Sequence, residues 1–303
     1  MSRARGPILV TGAGGFVGSH LLSELGDDAR PLETDVREVG ELIDAVRSHA
    51  PVAVVHLAAI SSVADSWARG SEIWAVNALG TVNVIEALLR EAPGARMLLA
   101  STGEVYGRAE ELPTSEDSPV APISPYAASK AAAEIACEQA ARAAGLDVVI
   151  ARAFQHEGAG RDERFAIGSW ARQIAELELS RGGALRVGDL APERDISDVR
   201  DVCRAYRLLL DPAVPSGTYN VASGKKTGLA EIAEQLVRMA GVPVSVEQDP
   251  TRLRPVDIPI VWGDPSKVRA ATGWVPEIPL ERTLADALDY ARAVVSQESV
   301  AGK

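Results

Sequence analysis

Apolar residues fall along this chain in two alternating rhythms. Short unbroken runs, such as Ile8-Leu9-Val10 and Val52-Ala53-Val54-Val55-His56-Leu57, read as strands buried on both faces. Longer stretches place apolar residues at helical spacing, as with Ile73, Val76, Leu79, Val84 and Leu88 inside residues 71–90. On this pattern, strands are predicted at 8–11, 29–33, 52–57, 96–100 and 147–151, and helices at 16–25, 39–50, 71–90 and 126–144. Strands alternating with helices of a dozen residues predict a Rossmann-type, doubly wound parallel α/β sheet. The rhythm loosens after residue 154. Residues 154–164 read as a polar, glycine-containing loop over a site and 249–265 as a proline-rich loop. Helices are expected at 167–179, 199–210, 229–240 and 280–295, with strands at 185–187 and 217–221. There are no internal repeats and no low-complexity linker, so two interleaved lobes are expected. Residues 1–154, with a returning segment near 195–222, form the Rossmann domain; 155–194 and 223–303 form a smaller α/β substrate-binding lobe.

Composition narrows the class. Hydrophobic residues are 47% of the 303 but aromatics only 4%, so aliphatic packing must fill the core. No apolar run approaches the roughly 18 residues that span a bilayer. Met1 to Pro7 is short and basic and lacks a long apolar signal region, so a cytoplasmic protein with no membrane partner is expected. A net charge of −11 argues against nucleic acid as a partner, while leaving room for a local cationic cleft that takes a small anion. Cys137 and Cys203 lie far apart in helix-like segments and read as core residues, and the four histidines show no ligand spacing, so neither a disulfide nor a metal is expected.

The first candidate chemistry is a glycine turn. Thr11-Gly12-Ala13-Gly14-Gly15-Phe16-Val17-Gly18 leaves a strand and opens a helix. Gly12 permits the tight turn, Gly15 lets backbone approach a pyrophosphate, and Gly18 lets the helix pack close to the sheet. The N–H groups around Phe16 and Val17 then face the phosphates of a dinucleotide. Asp35-Val36 follows the second strand, and Leu57-Ala58-Ala59 gives small residues at a strand end against which a cofactor can lie. Arg37 fits a 2′-phosphate or an exposed helix start equally well, so NAD and NADP both stay open.

The second is Tyr126 with Lys130, one helical turn apart on one face. An ammonium beside a phenol favours phenolate, predicting a lowered phenol pKa and a general acid/base for a carbonyl or alcohol. Lys130 also has reach for a nicotinamide ribose. Thr102, at the end of a strand in Ser101-Thr102-Gly103-Glu104-Val105-Tyr106-Gly107, is placed to hold the same substrate oxygen. By itself this spacing also occurs on exposed helix faces; the glycine turn upstream gives it meaning.

Together these pieces resemble the extended short-chain dehydrogenase/reductase family across essentially the whole chain. The matching segments are the early glycine motif, Asp35-Val36, His56-Leu57-Ala58-Ala59, Asn77 with Gly80-Thr81, the Ser101–Gly107 stretch and Ser124-Pro125-Tyr126-Ala127-Ala128-Ser129-Lys130. The resemblance implies a Thr102–Tyr126–Lys130 triad, a nucleotide-sugar substrate whose diphosphate sits in the second lobe, contacts from Asn77 to the cofactor, and a homodimer formed through the helices around 77–90 and 127–144. Arg152 to His156, Arg194 to Asp201, Asp249 to Asp257 and Gly263 to Lys267 resemble the GDP-mannose branch, which holds both 4,6-dehydratases and GDP-4-keto-6-deoxymannose reductases. Arg194 and Arg254 are candidate diphosphate clamps, because guanidinium forks match phosphate oxygens, and Asp257 a candidate acceptor from ribose or base. Ser61-Ser62-Val63 resembles the reductase pattern, so Ser62 joins the substrate residues. Gln155 stands where relatives usually carry Asn, and Glu157 and Ala159 also depart from the reductases. Glu104 suits the extra acid/base of a dehydratase but occurs in both groups. The expected activity is NAD(P)H-dependent reduction of GDP-4-keto-6-deoxy-D-mannose to GDP-D-rhamnose. A GDP-mannose 4,6-dehydratase or another nucleotide-sugar dehydratase or epimerase is the second reading. A non-catalytic NAD(P)-binding protein is the third, opposed by the complete triad.

Overall fold

The computed structural model describes residues 6–253 and 258–301. Its strands are β1 (Ile8–Thr11), β2 (Ala29–Leu32), β3 (Ala53–His56), β4 (Arg96–Thr102), β5 (Val148–Ala153), β6 (Gln155–Glu157), β7 (Gly183–Val187), β8 (Glu193–Asp198), β9 (Gly217–Val221), β10 (Lys226–Gly228), β11 (Val244–Gln248) and β12 (Ile260–Val261). Its α-helices are α1 (Phe16–Leu25), α2 (Val39–His49), α3 (Val63–Ala68), α4 (Gly70–Ile73), α5 (Gly80–Glu91), α6 (Pro125–Ala144), α7 (Ala166–Leu179), α8 (Val199–Leu209), α9 (Leu229–Met239), α10 (Ser266–Thr272) and α11 (Leu280–Ala301).

Six strands form a parallel sheet in the order β2-β1-β3-β4-β5-β9. Every residue of β3 and β5 is buried, as a sheet covered on both faces requires. On one face α1 and α8 pack around Val10, Val55, Val149, Val202 and Tyr206; on the other α2, α5 and α6 pack around Leu9, Val54, Leu88, Leu99 and Cys137. The chain winds outward from β1 in both directions, so the order reverses between β1 and β3. In open α/β sheets a ligand crevice lies outside the carboxyl ends of the strands at such a reversal.

The second lobe has its own core of Ile167, Trp170, Ile174, Leu185, Ile232, Leu236, Leu284 and Leu288 from α7, α9, α11 and β7. β8 pairs with β6, β10 and β12 in a separate small sheet, whereas α8 and β9 return to the first. The loops expected at 154–164 and 249–265 therefore contain short strands. Two- and three-residue strands are too short for any hydrophobic period to show.

The helix expected at 71–90 is interrupted. Trp74–Leu79 winds as a π-turn between α4 and α5, adding a residue that re-aims Asn77 toward α6. By length and mean hydropathy alone Gly70–Glu91 is apolar enough to cross a membrane, although Glu72, Asn77, Asn83 and Glu86 break it, so no unbroken apolar run of that length is present. Half of its most apolar window is buried inside the protein, as in a core helix. α6 begins on Ser124, whose hydroxyl accepts from the Ala127 N–H at 3.1 Å, with Pro125 at its first position, and ends on left-handed Gly145.

Candidate active site

The glycine turn and the tip of β3 touch at the reversal point. Gly12 is left-handed (φ +67°), and a Cβ there would stand 2.7 Å from the Ala58 nitrogen. A Cβ on Gly18 would stand 2.4 Å from the Gly12 carbonyl oxygen, so α1 can begin this close to the turn only with glycine. Gly15 caps α1 in extended conformation and donates to the Gly12 carbonyl at 3.0 Å; no side chain caps the N–H groups that follow. A helix start of this form takes a pyrophosphate.

A buried polar chain runs from this turn to the helix bearing Tyr126. The Ala58 N–H donates to Thr11 Oγ1 (3.1 Å), which lies 2.7 Å from His56 Nδ1. His56 Nε2 lies 3.1 Å from Thr81 Oγ1, whose hydrogen goes to the Asn77 carbonyl. With that hydroxyl committed, Nε2 must be the donor, Nδ1 accepts from Thr11, and the ring is neutral. Burial agrees, holding the His56 pKa down to about 3. Asn77 takes both polar groups of Ile60 (2.8 and 3.1 Å) and donates to Ser129 (3.0 Å), which donates to the Tyr126 carbonyl (2.7 Å). Among the cofactor candidates, Leu57 and Ala58 thus lie against the glycine turn, and Asn77 joins the same polar chain through Thr81 while bonding Ile60 and Ser129. Val36 is buried under α5, and Asp35 lies exposed in a bidentate pair with Arg37 that holds its carboxyl down to about 2.

Tyr126 and Lys130 are both buried on α6. Thr102 ends β4 with its hydroxyl beside the phenol, where it favours the charged form, and Glu104, in the one-turn 3₁₀ helix Gly103–Tyr106, faces the same phenol with its charge. The Lys130 ammonium donates to the Ala100 carbonyl at 2.8 Å, and burial brings it down to about 8. The expectation of a lowered phenol pKa is corrected. Burial, then the Glu104 carboxylate, pushes Tyr126 up to about 12, and Lys130 is turned to a strand carbonyl rather than to the phenol. One turn beyond Lys130, buried Glu134 receives Arg152 of β5 through both oxygens and also the Ser101 hydroxyl, locking α6 onto β4 and β5. Sequence reading missed Glu134 altogether and, although Arg152 and Ser129 lie in segments that carry the resemblance, missed the contacts they make. A lone charged residue in an alanine-rich helix reads as a surface group.

On the far side of the cleft Gln155 donates to fully buried Glu157 at 3.0 Å. Ser62 caps α3 by accepting from the Asp65 N–H at 3.1 Å, and Arg194 donates to the Ile258 carbonyl at 2.8 Å. Arg254 and Asp257 lie outside the described residues. Among the described residues no group of three or more His, Cys, Asp or Glu is arranged to hold a metal, and both cysteines are buried and unpaired.

A doubly wound sheet, a glycine turn at its reversal point and Thr102, Tyr126 and Lys130 at the carboxyl ends define an extended short-chain dehydrogenase/reductase. A family model, GDP-mannose 4,6 dehydratase, matches residues 24–287. The chain is 36% identical to the GDP-6-deoxy-D-mannose reductase of Pseudomonas aeruginosa, over 91% of this chain and 94% of that one. It is 28% identical to a GDP-mannose 4,6-dehydratase of Yersinia enterocolitica, over 83% of this chain and 76% of that one. The structure of RMD from P. aeruginosa complexed with NADPH superposes with a TM-score of 0.88 at 34% identity, covering 95% of this chain and 99% of that one. This chain belongs to the GDP-mannose 4,6 dehydratase family.

Proposed function

We propose that the chain reduces the 4-keto group of GDP-4-keto-6-deoxy-D-mannose to give GDP-D-rhamnose, using NADH or NADPH. The observation that carries this reading is a buried phenol that keeps its proton at neutral pH, touched by Thr102 and one turn from a buried ammonium. A ketone reduction needs that starting state, because the carbonyl oxygen must receive a proton as carbon receives hydride. The similarity to a reductase along nearly the whole chain supports the same direction. When bound, the reduced nicotinamide supplies the hydride to C4. Thr102 orients the ketone oxygen, Tyr126 gives it a proton and is reprotonated from solvent, and Lys130 holds the nicotinamide ribose. Gly12, Gly15 and Gly18 leave the space, and the N–H groups at Phe16 and Val17 the donors, for the cofactor's pyrophosphate. The test is to incubate the purified protein with GDP-4-keto-6-deoxy-D-mannose and either reduced cofactor and to follow the reduced nicotinamide absorbance. No oxidation with either would end the reductase reading.

One observation favours a second reading. Glu104 is close enough to Tyr126 to raise its pKa, which also suits removal of a C5 proton by a 4,6-dehydratase. That enzyme would turn over GDP-mannose with no added reduced cofactor and would be abolished in Glu104→Gln. The reading also includes a homodimer. Trp74, Leu79 and Val82 on the Gly70–Glu91 stretch and Ile135 on α6 are large apolar side chains exposed on packed neighbouring helices, a face that a second copy covers. Sedimentation velocity of the protein and of Leu79→Glu tests it.

A further inference from the structure

One turn along α6 from Lys130, a buried carboxylate faces the same strand as the ammonium. Glu134 follows Lys130 by four residues, so the two side chains leave one face of the helix. Lys130 is 4% exposed and Glu134 is 3% exposed. Consecutive residues of β4 receive them. The Lys130 ammonium donates to the Ala100 carbonyl at 2.8 Å, and the Ser101 hydroxyl donates to Glu134. Arg152, opposite Ser101 on β5, closes the carboxylate from the other side, donating to both oxygens at 2.7 and 3.1 Å.

Lys130 needs an anion. An ammonium taken out of water and given one hydrogen bond to a neutral carbonyl drifts toward its uncharged form. The groups around it come from several elements. His56 on β3 is neutral, and burial keeps Tyr126 and Cys137 on α6 protonated. In the 3₁₀ turn, Glu104 faces Tyr126, and Tyr106 lies under Arg152. Helices α3, α4 and α5 also pack on α6 but bring no charge to bear on Lys130 among the described residues. Glu134 is the carboxylate whose charge reaches the lysine, and it opposes the effect of burial.

We propose that Glu134 is a positioning residue for Lys130: held by Ser101 and Arg152, its carboxylate is the buried counter-charge that keeps the ammonium charged against the Ala100 carbonyl. The proposal rests on the reductase reading only for what that charge does in turnover. Arg152 has a different duty. It fastens the carboxylate to β5, yet its own charge has the wrong sign to help the lysine. The two halves of the pair therefore act alike on stability and differently on Lys130.

The test reads Lys130 directly. The chain has five lysines, so isotope-labelled lysine gives a simple NMR spectrum in which the signal lost in Lys130→Met assigns the residue. Titrating its ε-carbon follows the charge without substrate. The double variant Glu134→Leu with Arg152→Met strands no charge, and thermal melts check that it folds. Its lysine should titrate about one unit or more below wild type. Glu134→Gln should show the same fall, and Arg152→Met should show none. Turnover carries a matching signature. Lowering the lysine from about 8 to about 7 makes the deficit in kcat/KM about fivefold larger at pH 8 than at pH 6. A merely structural role gives an equal deficit at both. A double variant that melts and titrates like wild type overturns the proposal. So does an Arg152→Met variant whose lysine falls as far as that of Glu134→Gln. Both outcomes leave the reductase reading intact. Wild type that oxidises neither reduced cofactor overturns that reading alone, because the lysine titration needs no turnover.

Discussion

The two sides of the cleft treat buried polar groups differently. On the Rossmann side, Thr11, His56, Thr81, Asn77 and Ser129 form one continuous hydrogen-bonded chain, and Glu134 is fully matched by Arg152 and Ser101. On the other side the matching is incomplete. Glu157, Arg161, Ser197, Gln235 and Trp262 hold the buried side-chain atoms without a hydrogen-bond partner among the described residues, and all follow residue 154. A satisfied network fixes one arrangement, whereas a partly satisfied one carries unspent interaction. The Rossmann side is therefore fixed by its own hydrogen bonds, while the other side keeps buried donors and acceptors unmatched among the described residues.

The largest test removes the group that the ordered side exists to place. Tyr126→Phe should lower kcat by about 10²- to 10⁴-fold, the usual contribution of a positioned general acid. NADH affinity, measured by fluorescence, should barely move, since the glycine turn and the Asn77 chain are untouched. A mutant with near wild-type turnover would detach the ordered network from the chemistry.

Next in size is the ion pair that locks α6. Arg152→Met leaves Glu134 buried with the Ser101 hydroxyl as its one hydrogen bond among the described residues and the Lys130 charge one turn away, and breaking one partner of a buried pair costs about 3–5 kcal/mol. Urea unfolding reads that loss directly. Exchanging both partners for apolar residues should recover much of it, because the cost lies in the stranded charge.

How legible these regions were in the sequence follows the range of their interactions. The glycine turn and Tyr126 with Lys130 show because local spacing alone conveys their geometry. The Asn77–Ser129 and Glu134–Arg152 contacts join residues 52 and 18 positions apart, and no periodicity marks them. β8 was hidden for another reason. Its sequence Glu-Arg-Asp-Ile-Ser-Asp is mostly polar, yet five of its six residues are buried. Asp195 accepts from Ser223, Gly224 and Gly263, and Asp198 caps α8, so burial there rests on hydrogen bonds that hydrophobic patterning cannot reveal. The Arg161 guanidinium lies over the Phe16 ring across 145 positions, another contact that no local pattern marks.

A smaller effect comes from pH. Ketone reduction needs a charged Lys130 on the ribose and a protonated Tyr126. Burial lowers the first to about 8 and raises the second to about 12. The lysine's charge is fully present below its pKa and lost above it. A plot of kcat/KM against pH should thus be level through neutrality and fall about tenfold per unit above roughly 8. A decline beginning only near 10 would mean that the lysine keeps its ordinary pKa and that its burial is relieved.

The finest test sets one serine from each side against the other. Ser129 is fully buried, accepts from Asn77 and donates to the Tyr126 carbonyl, so Ser129→Ala strands one N–H of the Asn77 amide in the core while its bonds to Ile60 remain. The expected loss is about 1–3 kcal/mol, the penalty for an unmatched buried group. Ser197 is also buried, but its hydroxyl has no hydrogen-bond partner among the described residues. Ser197→Ala removes a desolvated group and breaks no bond, so stability should change by less than about 1 kcal/mol and in the favourable direction. Paired chemical denaturation of the two mutants decides the matter. Equal losses would show that Ser197 has a partner in solution, and with it the contrast between a completed side and an incomplete one would fall.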